Sequence, residues 1–190
     1  MNTSMKRAAK WMLGIGLGMV VGRAYADNPI DATITVTPIG TVNLALSVTT
    51  YAFGPMAVSA VAVAASSITL RNTGSVDVQI DKAARGASAP SGWTGATVAQ
   101  QAVVGPNRYA LWVATGTAQP TAVEFSTATH LFDYMTDSRL RGIGTVTPTT
   151  LTTTSGALNE AYLWFRLDMP NQVSDQLGQE IPIHFTGIAQ

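Results

Sequence analysis

Cysteine is absent from the 190-residue chain, which excludes a disulfide framework, a thiolate metal site, a thiol nucleophile and a lipid-modified cysteine anchor. Charge is scarce, with 12% Asp, Glu, Lys and Arg, and lysine stands only at Lys6, Lys10 and Lys82. There is no G-x-S-x-G, no H-E-x-x-H and no phosphate-binding glycine loop, so no catalytic signature points to an enzyme and none implies a cofactor. The longest apolar run, Trp11 to Gly22, has about a dozen residues, short of the ~20 a helix needs to cross a bilayer.

What is present at the front is the three-part pattern of a secretory signal. Lys6, Arg7 and Lys10 form a basic region, Trp11 to Gly22 an apolar one, and Ala24-Tyr25-Ala26 an A-x-A cleavage site before Asp27. Residues 1–26 are therefore expected to be removed, leaving a secreted protein, extracellular or at the cell surface, with the periplasm as the other compartment. That removal takes four basic residues (Lys6, Arg7, Lys10, Arg23) and no acid from a balanced 11 and 11, leaving a net charge of −4. Nucleic acid and anionic membrane surfaces reward clustered Lys and Arg, so neither is an expected partner.

The rest of the chain reads as strands. Ala32-Thr33-Ile34-Thr35-Val36-Thr37 alternates strictly, and Val42, Leu44, Leu46 and Val48 fall on one face of a second alternating run. The stretch from Tyr51 to Ile80 organises the remainder of the chain: Ser67 to Leu70 and Val76 to Ile80 alternate on either side of Arg71-Asn72-Thr73-Gly74-Ser75. Asn72 and Gly74 there predict a tight β-hairpin turn. Tyr109 to Thr115, Ala161 to Met169 and Ile181 to Ile188 are further strands, with Pro182 suggesting an edge position for the last. Residues 115–150 form an insertion, with a short helix or ordered loop between Pro120 and Arg141. The expectation is an all-β fold, an antiparallel immunoglobulin-like or jelly-roll sandwich of about 7–9 strands. Its domains would be a signal peptide over 1–26, an N-terminal strand segment over 27–50 and the sandwich over 51–190.

Phe53-Gly54, Leu70-x-Asn72-Thr73-Gly74 and Val76-x-Val78-x-Ile80, with Ala89-Pro90-Ser91-Gly92-Trp93, resemble the pattern of immunoglobulin-like modules of the Hydin type and of those appended to bacterial glycosidases. The resemblance implies a fold and a mostly non-catalytic role. The extended N-terminal segment is similar to that of surface-filament subunits of the TasA kind and of pili built by strand exchange. This implies that Ala32, Ile34 and Val36 form a donor strand completing a neighbour's sheet, with the chain itself as partner. The other class is a carbohydrate-binding or adhesive module, with glycans stacking on exposed aromatics.

Candidate contact residues are Tyr162, Trp164 and Arg166, which share the polar face of their strand. Trp93 is expected in the core. His130, Asp133 and Asp137 would share a helix face and are the nearest approach to a metal set, as Asp27, Asp31, Asp77 and Asp81 are for calcium. Neither has the ligand density of a metal loop, and no metal is expected. Glu160 and Asp168 lie roughly 25 Å apart at ~3.3 Å per strand residue, too far for a glycosidase pair.

Overall fold

The computed structural model describes residues 39–84, 93–97, 103–132, 138–144, 149–153, 158–174 and 177–190. All belong to Ile39–Gln190, the second of the two units into which the chain divides. The signal segment and the Ala32–Thr37 strand lie outside the described residues.

The described protein is all-β, with ten strands in two main sheets. The first sheet runs β1 (Leu44–Leu46), β3 (Ile68–Asn72), β9 (Glu160–Asp168), β6 (Arg108–Thr115) and β5 (Thr94–Gly95). A further strand, β2 (Val61–Val63), continues along the β9 edge that β3 occupies. The second sheet runs β10 (Ile183–Ala189), β4 (Val78–Ala84) and β7 (Ser138–Arg139), with β8 (Thr150–Leu151) also on β4. Every ladder is antiparallel except β5 with β6, where Thr94 stands opposite Arg108 in parallel.

The period-2 pattern explains how the sheets meet. Leu163, Phe165 and Leu167 of β9 are buried on one face, as are Ile68 and Leu70 of β3 and Val78 and Ile80 of β4. Burying each such side chain contributes about 1.5–3 kcal/mol, and the cluster draws on both sheets. Trp93 joins it, as the sequence suggests.

The expected hairpin is not one. β3 pairs with β1 and β9, whereas β4 pairs with β10, β7 and β8, so residues 72–78 carry the chain from one sheet to the other. Neither Asn72 nor Gly74 has a positive φ. Their roles are different. Asn72 is fully buried at the crossover, and its Oδ1 accepts the Gly74 N–H at 2.9 Å. Gly74 is required by close approach: a Cβ there would meet the backbone of Thr41 and Asn43, which pairs with the crossover through Thr73 N–H to Asn43 O and Ser75 N–H to Thr41 O, both 2.9 Å. Alternation is the same for a hairpin and for a strand that changes sheets, so the motif is legible and its geometry is not.

The insertion is structural. It contains a 3-10 turn, Ala122–Glu124, and one helical turn, α1 (Thr127–His130). Phe132 then enters the core, stacking on Phe165 of β9 with ring centroids 6.4 Å apart and meeting Phe185 of β10 edge-on at 5.9 Å. Phe125 and Leu131 cover the other face of the first sheet, over Ala110, Trp112, Ala114 and Trp164. No helix among the described residues is long and apolar enough to cross a membrane.

Candidate assembly interface

The structure overturns part of the expected contact face. Trp164 is buried at 9% exposure, because the insertion covers its side of β9, and its indole N–H donates to Gly116 O at 2.9 Å. Arg166 is committed as well: Nε and Nη2 donate to the two Asp168 carboxylate oxygens at 2.7 and 2.6 Å, and Nη1 donates to Ala122 O at 2.6 Å. Its guanidinium lies over the Trp112 ring, 4.8 Å from the centroid. Thus Arg166 fastens the 3-10 turn to the sheet. Of the three, Tyr162 alone is exposed, at 43%.

The carboxylates singled out in the sequence are also engaged. Glu160 pairs with Arg71 at 3.4 Å, Asp81 with Arg139 at 3.1 Å, and Asp77 accepts the Thr153 N–H at 2.9 Å. Asp27, Asp31, Asp133 and Asp137 lie outside the described residues. Among the described residues, no three His, Cys, Asp or Glu side chains gather as metal ligands would.

His130 is buried with both ring nitrogens in use. Nδ1 accepts the Ser126 N–H at 2.8 Å, which leaves Nε2 as the protonated nitrogen facing Gly142 O at 3.2 Å. Burial pushes its pKa below the ordinary 6.5, the Gly142 carbonyl opposes that shift, and Lys82 and Arg141 add to it. Because the unfolded chain binds this proton more tightly, stability is fully present above about pH 6.5 and falls as pH drops from there through the folded value. A melting-temperature series from pH 7.5 to 5 should show this decline, and His130→Asn, which keeps an acceptor for Ser126, should flatten it.

A different surface carries open strand edges among the described residues. β1 is hydrogen-bonded to β3 on one edge and β10 to β4 on one edge, and neither strand's other edge has a partner among the described residues. The two strands come together on the same side of the molecule. At Gly187 they approach closely: a Cβ there would meet Val42 Cγ1 at 2.7 Å and Leu44 Cδ1 at 3.3 Å, so a side chain at this position would require Val42 to shift. Towards the start of β10 they stand apart around a groove of about 330 Å³, walled by Leu44 and Leu46 on one side and Ile183 and Phe185 on the other, with Leu70 between.

The alternating face of β1 is therefore only half covered. Val42 is 42% exposed, Leu46 36% and Val48 48%. Sheet edges are ordinarily protected by charge. Here residues 41–48 and 181–190 contain no Asp, Glu, Lys or Arg. Thr49 and His184 are the polar side chains of the groove. Sequence reasoning finds both alternating runs and the edge position of the last strand, but it is the tertiary packing of the two sheets that places them side by side. No family model, curated protein or solved structure matches the chain.

Proposed function

We propose that this chain is a secreted structural protein of the cell surface or extracellular matrix: an immunoglobulin-like or jelly-roll sandwich that assembles with copies of itself into filaments through its N-terminal strand. The observation that carries this reading is the pair of uncharged edges, β1 and β10, which have no second strand partner among the described residues and flank a groove lined by Leu44, Leu46, Leu70, Ile183 and Phe185 together with Thr49 and His184. Edges of this kind recruit another strand, whose backbone completes the ladder while alternate side chains fill the space between the sheets. The segment Ala32–Thr37 has the matching composition, with Ala32, Ile34 and Val36 on one face and threonines on the other.

Glycan binding is the less favoured reading. It rests on exposed aromatics, and the burial of Trp164 leaves Tyr162 as the exposed aromatic of that face.

The purified chain from Asp27 onward, viewed by negative-stain microscopy and followed by light scattering, should form regular fibres. Removing Asp27 to Thr37 should abolish them and leave a folded, soluble species with the same β-sheet circular dichroism. A monodisperse monomer from the undeleted chain overturns the proposal.

A further inference from the structure

We propose that His130 is an acid-sensitive latch: its neutral ring closes residues 123–130 over the face of the first sheet that carries Trp112 and Trp164, and taking up a proton opens that segment locally while the two sheets stay folded. The turn is closed reciprocally. His130 N–H donates to Ser126 O at 2.8 Å, and Ser126 N–H donates to His130 Nδ1, also at 2.8 Å, so the backbone and the side chain of one residue fasten the same turn from both directions. The second bond needs a lone pair on Nδ1, which the protonated ring does not have. Nε2 faces Gly142 O at 3.2 Å, and the residues on either side of Gly142 pair with the end of β6, Thr115 N–H donating to Arg141 O and Ile143 N–H to Thr115 O, both at 3.0 Å. A neutral imidazole thus joins α1 to the first sheet.

Protonation reverses the first of these side-chain contacts. It sets an N–H on Nδ1 against the Ser126 N–H, donor facing donor, in a residue only 2% exposed. Among the described residues, the charges acting on the ring are both positive, Lys82 from β4 and Arg141 from the segment beside Thr115. The Phe125 ring meets it edge-to-face with centroids 6.0 Å apart. An imidazolium there loses a hydrogen bond, gains no water and stands near the ammonium that holds Thr129 O. The opening is local because the anchors on either side do not involve His130. Ala122 O is held by Arg166 Nη1, Phe132 N–H donates to Leu111 O at 2.8 Å, and Phe132 sits in the main core. Between those anchors lies Phe125, one of the side chains covering Trp112 and Trp164, so opening uncovers an apolar patch on a sheet whose ladders do not pass through the latch. The closed form resists a proton that the open form accepts near the ordinary value of 6.5. Opening therefore grows as pH falls below that value, by up to about tenfold per pH unit, until the closed form is itself protonated.

Hydrogen exchange of the chain from Asp27 onward, followed residue by residue in low urea and corrected for the intrinsic pH dependence of exchange, tests this. Between pH 7.5 and pH 5 the Thr129 and His130 amides should lose about tenfold of their protection, through an opening that urea hardly affects. The Leu163, Phe165 and Leu167 amides of β9 should stay better protected at each pH and exchange with the steep urea dependence of global unfolding. Latch amides that share the protection and urea slope of β9, or whose protection does not change with pH, overturn the proposal. His130→Asn keeps an acceptor for Ser126 and cannot titrate, so it should erase the pH dependence at Thr129; a variant that still loses protection in acid overturns the assignment to His130. Where that variant does not fold, the imidazole itself decides. The chain has two histidines, His130 and His184, so His184→Asn leaves one ring to follow by NMR. Titration of that ring below pH 6.5, with the proton on Nε2 at neutral pH, supports the latch, and titration at or above 6.5 overturns it.

Discussion

Replacing Asn72 by alanine should destabilise the protein by about 3–4 kcal/mol, measured as the shift in a urea unfolding curve at unchanged slope. The side chain is fully buried where the chain changes sheets. Its Nδ2 donates to Val76 O at 2.8 Å and Thr152 O at 2.7 Å, with Leu151 O at 3.3 Å sharing a proton, while Oδ1 takes the Gly74 N–H at 2.9 Å. One amide thus satisfies backbone groups from the crossover and from the β8 region, and truncation strands several of them away from water. Asn72→Asp is the sharper variant. It keeps the volume and the acceptor for Gly74 but turns a carboxylate oxygen towards carbonyl oxygens, so it should cost more than alanine at neutral pH and recover as the medium is acidified. An aspartate variant as stable as wild type would mean that the amide's donor role is dispensable.

The same residue marks how far sequence reasoning reaches. Asn72, Gly74 and the alternating runs beside them are visible in the sequence, and so are the inward sets Leu163, Phe165 and Leu167 on β9 and Ile183 and Phe185 on β10. Local periodicity specifies which side chains share a face. It does not specify the pairing partner, which is why a sheet crossover reads as a hairpin. Trp164 shows a second limit: its face of β9 carries polar residues and so reads as solvent-facing, but Phe125 and Leu131, some thirty to forty residues earlier, return to cover it. That layer comes from a Ser/Thr-rich insertion with no clear period, and its apolar residues are too irregularly spaced to announce a face. The groove stands between these cases, since both its walls are legible and their adjacency is decided by tertiary packing.

Lys82→Met should cost about 2–4 kcal/mol and release the insertion from the second sheet. Val78, Ile80 and Lys82 alternate on the inward face of β4, and all three are buried. The lysine stem continues the apolar row, and its ammonium donates to Ser138 Oγ at 2.7 Å, Thr129 O at 3.1 Å and Arg139 O at 3.2 Å. These acceptors lie on α1 and β7, so one cation ties both ends of residues 129–139 to β4. Methionine preserves stem and volume, which separates loss of the tie from loss of packing; alanine, opening a cavity as well, should fall lower still. Burial supplies a second readout: in the folded protein Lys82 should resist an amine-reactive reagent, with mass spectrometry showing modification at a rate set by opening of the insertion. Replacement of a buried cation by an apolar side chain can be neutral when desolvation outweighs its hydrogen bonds. A methionine variant of unchanged stability would place Lys82 in that class, and rapid labelling of the folded wild type would show that the amine is not held where these contacts place it.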